Sequence, residues 1–164
     1  LGWIGRSSML VHPRLGSMTL IGLLLLDAPL PEAFEPPVQV PDGCGGCGRC
    51  VEACPTGAIV APRRVDAGRC IAYQTIERQG GVEEEIRPVL GGRIFGCDRC
   101  LEVCPYNNRS GQPLMPAGAG LEAVSERLGI TAEEWRRMTP EEFEARFAGS
   151  PLVRAGLEKL KSSL

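Results

Sequence analysis

Large apolar side chains are scarce in this sequence. Aromatic residues make up 5% of its 164 positions, while 21 glycines and 14 prolines account for about a fifth. A chain of this length is about one domain, and 43% hydrophobic residues exclude a disordered chain. With so few bulky side chains to bury, something besides packing is expected to hold its middle together. An excess of positive charge is also missing. Eighteen Lys+Arg stand against 20 Asp+Glu, a net charge of −2, so no overall basic character advertises nucleic acid, although a local basic surface is left open. No long hydrophobic run exists either. The apolar stretch Leu20–Leu26, extended back to Met18, is about half of the ~20 residues a membrane-spanning helix needs. No small-x-small cleavage site follows it in Asp27-Ala28-Pro29-Leu30, which argues against a signal peptide. A buried strand of a larger sheet is the expectation, and few partner strands exist nearby. The sequence opens at Leu1 without a methionine and reads as a piece of a longer protein.

Cysteine is what the chain does have. Eight cysteines fall between residues 44 and 104 at metal-ligand rather than disulfide spacings, which points to a reducing compartment and a metallocentre. Cys44-x2-Cys47-x2-Cys50-x3-Cys54-Pro55 is the bacterial ferredoxin run: three closely spaced thiolates wrap one 4Fe-4S cubane and the fourth points to a second. A zinc site would use two such cysteines and recruit two from elsewhere, and a redox Cys-x-x-Cys has no need of four. Gly43, Gly45, Gly46 and Gly48 suit a loop whose backbone approaches sulfides. The second run, Cys97-x2-Cys100-x3-Cys104-Pro105, has Ile94 where its first cysteine belongs, and Cys70, 27 residues before Cys97, completes the set. The expected ligands are Cys44, Cys47, Cys50 and Cys104 for one cluster and Cys97, Cys100, Cys54 and Cys70 for the other. The crossing of Cys54 and Cys104 brings the clusters close, as single-electron transfer requires.

The expected fold class is α+β. A ferredoxin-like domain with two 4Fe-4S clusters spans residues 40–110, with an edge strand at Ile59–Ala61. Residues 1–39 precede it and a helical segment, 111–164, follows. Between the cysteine runs, Ile71–Gln79 has helical composition and stops at Gly80-Gly81, and Glu83–Leu90 stops at Gly91-Gly92 despite Pro88. In the tail, Thr131 with Glu134 and Thr139-Pro140 with Glu142 form capping boxes, and Ser150-Pro151 opens a third helix. Val153, Leu157, Leu160 and Leu164 would make one stripe along that helix. His12, the sole histidine, reads best as a loop residue, Trp3 as core packing, and Asp98 as a hydrogen-bond partner or solvated charge.

Read together, Gly2-Trp3-Ile4-Gly5-Arg6, Val11-His12-Pro13-Arg14-Leu15-Gly16-Ser17, Cys54-Pro55-Thr56-Gly57-Ala58-Ile59, Arg69-Cys70-Ile71-Ala72-Tyr73-Gln74-Thr75-Ile76-Glu77 and Ile94-Phe95-Gly96-Cys97-Asp98-Arg99-Cys100 resemble the C-terminal half of the epoxyqueuosine reductase family. Gly149-Ser150-Pro151 with Arg154-Ala155 is similar too. The resemblance implies a cytoplasmic oxidoreductase of queuosine biosynthesis that reduces epoxyqueuosine to queuosine in tRNA, with electrons passing from a low-potential donor through two 4Fe-4S clusters to cobalamin. It implies that residues 1–39 end a truncated α/β cobalamin-binding domain, and that Gly5, Arg6, Ser8, Ser17, Ala72, Tyr73 and Asp98 line the corrin. It also implies that the helices after 121 begin the tRNA-binding side. No membrane is involved, and the complete enzyme would be a monomer. The family's proton donor lies upstream of Leu1, so no catalytic residue carries over and the piece is expected to be catalytically incompetent by itself. Arg6 and Tyr106 stand where the family commonly has Lys or His and Trp. The competing expectation is an electron-transfer module of another corrinoid reductase, such as one similar to reductive dehalogenases.

Overall fold

A computed structural model describes residues 1–29, 38–107 and 129–164. The chain opens with a hairpin of β1 (Trp3–Ile4) and β2 (Leu10–Val11), paired antiparallel with Trp3 opposite Val11. Gly2 permits this approach, because a Cβ there would collide with the Val11 carbonyl. After β2, His12 and Gly16 exchange backbone bonds. His12 Nδ1 accepts the N–H groups of Arg14 and Leu15 at 3.1 Å, so the histidine builds its own turn, as a loop residue would.

The stretch Leu20–Leu26 differs from expectation. It forms no strand, and its leucines stand in solvent, Leu25 at 93% exposure. A strand needs a partner on at least one side to satisfy its backbone groups, and among the described residues none pairs with this one.

The two cysteine runs fold alike. α1 (Arg49–Glu52) and α2 (Arg99–Glu102) are single turns that pack against each other. Each begins with two N–H groups bonded to one carbonyl, Gly48 in the first and Asp98 in the second. Each ends on a Cys-Pro, where proline stops further helix. After the first, β3 (Ile59–Ala61) and β4 (Arg64–Val65) form the second hairpin. The edge strand therefore lies at the residues where it was expected.

Ile71–Glu77 is helical but finishes as a π-turn, Tyr73–Glu77. Thr75 Oγ1 donates to the Ile71 carbonyl at 2.8 Å, competing for the acceptor of a regular α-helical bond, and the Arg78 N–H reaches back five residues to Tyr73. The helix expected over Glu83–Leu90 is reduced to a 3-10 turn at Arg87–Val89, since Pro88 offers no N–H. Ile71, Val82, Ile86 and Leu90 form a small core against which Cys97 packs.

The tail holds the larger core. α3 (Ala132–Arg137) and α4 (Pro140–Phe147) both start with complete capping boxes, at Thr131/Glu134 and Thr139/Glu142. Trp135 stacks on Phe147 at 5.3 Å, with Phe143 tilted beside them. Met138, Leu157 and Leu160 complete the cluster, and Ile94 and Phe95 from the cysteine domain pack against it. The expected third helix is broken in two, α5 (Leu152–Ala155) and α6 (Leu157–Ser162), at Gly156 with φ +82°. That break splits the expected stripe: Leu157 and Leu160 are buried, whereas Val153 is exposed. Residues 121–128 lie outside the described residues, as do 30–37.

Candidate metal centre

None of the eight cysteines is in a disulfide, and all are half-buried. Cys44, Cys47, Cys50 and Cys104, together with Cys100, line a void of about 280 Å³ that is also walled by Gly5, Arg6, Arg49 and Tyr106. Four of these five are the cysteines expected on the first cluster. Cys70 and Cys97 stand close enough to Cys100 to act on it electrostatically, which places three of the second set together. Burial, reinforced by the neighbouring Cys97, Cys50 and Cys70, pushes the Cys100 thiol up to about 11. Burial likewise raises Cys50, with Cys44 and Cys47 adding to it. Cys54 goes the other way: burial opposes its ionisation, but hydrogen bonds from Thr56, Ala58 and Ile59 outweigh that cost and lower it. The Ala58 N–H donates to Cys54 Sγ at 3.2 Å.

Such a donor set fits a polynuclear iron–sulfur group. Neutral thiols crowded at this density cannot all ionise without a compensating cation, and thiolate ligation supplies one while releasing their protons. Among the described residues no three Cys, His, Asp or Glu side chains converge as a single-ion site would have them. The ligands of a four-iron cube stand further apart than those around one tetrahedral ion.

Remote segments set the cysteines in place. Gln74 and Thr75 are fully buried polar residues. Gln74 Nε2 donates to the Gly68 carbonyl at 2.6 Å and Gln74 Oε1 accepts the Glu83 N–H at 3.2 Å. Thr75 Oγ1 accepts the Gly96 N–H at 2.9 Å. These bonds tie the segment before Cys70 to the loop before Cys97. In the sequence both residues belong to the stretch that carries the family resemblance, but neither shows a role of its own, because a buried polar pair gives no periodic signal. Asn107, just past the second Cys-Pro, accepts the Ser17 N–H at 2.7 Å and donates to Ser17 Oγ and the Leu101 carbonyl.

The N-terminal hairpin lies directly over the first set. The Trp3 indole N–H donates to Cys44 Sγ at 3.3 Å. Its ring meets Tyr106 edge-on at 4.9 Å, and Tyr106 donates to the Gly43 carbonyl. Arg6 donates to the Gly45 carbonyl at 2.7 Å. Arg63, at φ +63°, fastens the hairpin: its N–H donates to the Arg6 carbonyl, its Nε to the Ile4 carbonyl, and its guanidinium pairs with Asp42. Asp42 in turn accepts the Cys44 N–H at 2.9 Å, a bond that holds its carboxyl below the usual range.

Of the residues expected at the corrin, Gly5 and Arg6 line the cysteine void. Ser8 occupies the tip of the same hairpin at φ +66°. Ser17 is buried on Asn107, the residue after Tyr106. Ala72 and Tyr73 belong to the π-turned segment, and Asp98 precedes α2 without capping it through its side chain.

A family model described as a 4Fe-4S double cluster binding domain matches residues 43–107. The epoxyqueuosine reductase of Pseudomonas aeruginosa is 41% identical over 162 residues, 97% of this chain and 42% of that protein. Among solved structures, the epoxyqueuosine reductase of Bacillus subtilis superposes with a TM-score of 0.80 at 29% identity over 99% of this chain and 42% of its own. An epoxyqueuosine reductase crystallised with a tRNA-Tyr epoxyqueuosine-modified stem loop has a TM-score of 0.79 at 28% identity, covering 99% of this chain and 41% of that one. The chain thus spans about two fifths of the length of the relatives it matches.

Proposed function

Because this chain carries a 4Fe-4S double cluster binding domain and is homologous over nearly its whole length with part of the epoxyqueuosine reductases, we propose that it is the iron–sulfur portion of an oxidoreductase that reduces epoxyqueuosine to queuosine in tRNA. The observation that carries this reading is the extent of the match: it takes in the N-terminal hairpin and the helical tail as well as the cysteine domain. A carrier sharing only the cluster domain would not show that.

Cys44, Cys47, Cys50 and Cys104 would hold one cluster, and Cys54, Cys70, Cys97 and Cys100 the other. Bound there, iron–sulfur cubes supply single low-potential electrons, and the cobalamin implied by the family likeness supplies the bond-breaking chemistry. The chain's own residues contribute position. Arg63 and Asp42 fix the hairpin to the Cys44 loop, Gln74 and Thr75 fix Cys70 relative to Cys97, and Asn107 ties the second Cys-Pro to Ser17. The hairpin turn at Gly5–Ser8 touches the first void, so a corrinoid resting on Gly5, Arg6 and Ser8 would adjoin the first cluster. Ser17, Ala72, Tyr73 and Asp98 belong to the same proposal, with Ser17 also bonded to Asn107. Residues 1–39 would then end a cobalamin-binding domain, and the tail would face tRNA in the cytoplasm, with a low-potential donor behind the clusters.

The test uses anaerobically reconstituted full chain. It should hold about eight iron and about eight sulfide, and bind an epoxyqueuosine-bearing anticodon stem loop more tightly than an unmodified one. Colourless, iron-free protein defeats the cluster assignment. Full iron with no stem-loop affinity would leave an electron-transfer module in place of a tRNA-modifying one.

A further inference from the structure

The first set of thiols differs from the second in where its hydrogen bonds originate. Cys54 receives its bonds from its own loop, through the Ala58 N–H and beside Thr56. Cys44 instead receives the Trp3 indole N–H, from a residue 41 positions away. That tryptophan is buried, braced edge-on by Tyr106, and sits on a hairpin held at two points by Arg63, which also pairs with Asp42 of the Cys44 loop. The same hairpin places Arg6 on the wall of the void, where Arg49 is a second cation.

A hydrogen bond to a ligating sulfur and nearby positive charge both stabilise the more negative, reduced state of a cluster and so raise its potential. Resting on the ligand assignment above, we propose that Trp3, assisted by Arg6, is a potential-setting residue for the cluster held by Cys44, raising that cluster's midpoint above the value it would have without the hairpin. The hairpin then does more than cover the cysteines. It carries the donor that tunes the cluster beneath the Gly5–Ser8 turn. Gly43 is part of the same device, since a Cβ there would press into the Trp3 ring at 2.6 Å and displace the indole.

Trp3→Phe keeps a ring against Tyr106 and removes the N–H together with one ring of the indole. In an EPR-monitored redox titration of the full chain loaded with both clusters, one midpoint should fall and the other stay fixed at unchanged iron content. At a fixed potential the reduced-to-oxidised ratio of that cluster should drop up to tenfold, equivalent to about 59 mV for one electron. Arg6→Gln should move the same midpoint in the same direction. If Trp3→Phe cannot retain iron, a fluorinated tryptophan in a Trp135→Phe background leaves Trp3 as the only indole. Its stronger N–H donor should raise that midpoint and shift the iron–thiolate stretching bands in resonance Raman spectra. Midpoints that stay put in the phenylalanine variant at full iron, or in the fluorinated protein, overturn the proposal, as does an equal shift of both clusters. Failure of the ligand assignment itself would appear earlier, as unmodified protein without two clusters.

Discussion

Gly43 has no room for a side chain. A Cβ would meet the Tyr106 hydroxyl and the Trp3 ring, so Gly43→Ala should destabilise the chain by about 1–3 kcal/mol, measured by thermal melting together with a red-shifted Trp3 fluorescence. Thr75 is a sharper probe, because it is fully buried and its hydroxyl serves both Ile71 and Gly96. Thr75→Val keeps the shape and strands the Gly96 N–H, at a cost of about 1–3 kcal/mol. Total iron should fall, and the reduced-state EPR signal lost should be the one that Cys70→Ser removes. Cys70→Ser should cost one cluster and spare much of the other, seen as loss of one reduced-state EPR signal; an unchanged spectrum at full iron would remove Cys70 from the ligands. The cysteines themselves were legible because ligand spacing is a local, chemically specific pattern. Thr75, Gln74 and Arg63 were not, since each acts on a segment distant in sequence and nothing in the local composition marks it.

At the level of elements, the capping boxes at Thr131 and Thr139 and the strand Ile59–Ala61 follow from neighbours within six residues, and sequence sufficed for them. Elements that depend on distant partners were misread. Leu20–Leu26 has strand composition but no described neighbour to pair with, and the stripe from Val153 to Leu164 assumed a continuous helix that Gly156 interrupts. The π-turn at Tyr73–Glu77 depends on one threonine hydroxyl, below the resolution of any periodicity. Thr139→Ala should weaken α4 by about 1 kcal/mol. Phe147→Ala, which empties the centre of the tail core, should cost about 3–5 kcal/mol. Denaturant titration would separate the two by magnitude.

For the molecule as a whole, the metal-free and metal-loaded forms should respond differently to alkali. In the metal-free fold Cys100 titrates near 11 instead of at the ordinary 9.0, so the neutral thiol is favoured by the folded state. Its contribution is intact below pH 9 and is lost as pH rises towards 11. The Tm of iron-depleted protein should therefore decline across that window, while loaded protein, its thiolates already ionised, should not show the step. The tail is fastened to the cysteine domain by an ion pair between Arg154 and Glu77, by Lys159 on the Arg78 carbonyl, and by Ile94 and Phe95, which belong to the cysteine domain yet pack into the tail core. Those two residues lie just ahead of Cys97. Any cut or loosening beyond residue 129 would bare them to water and air together with the sulfur behind them, and brown protein would bleach sooner. The helices would then govern how long a preparation survives oxygen.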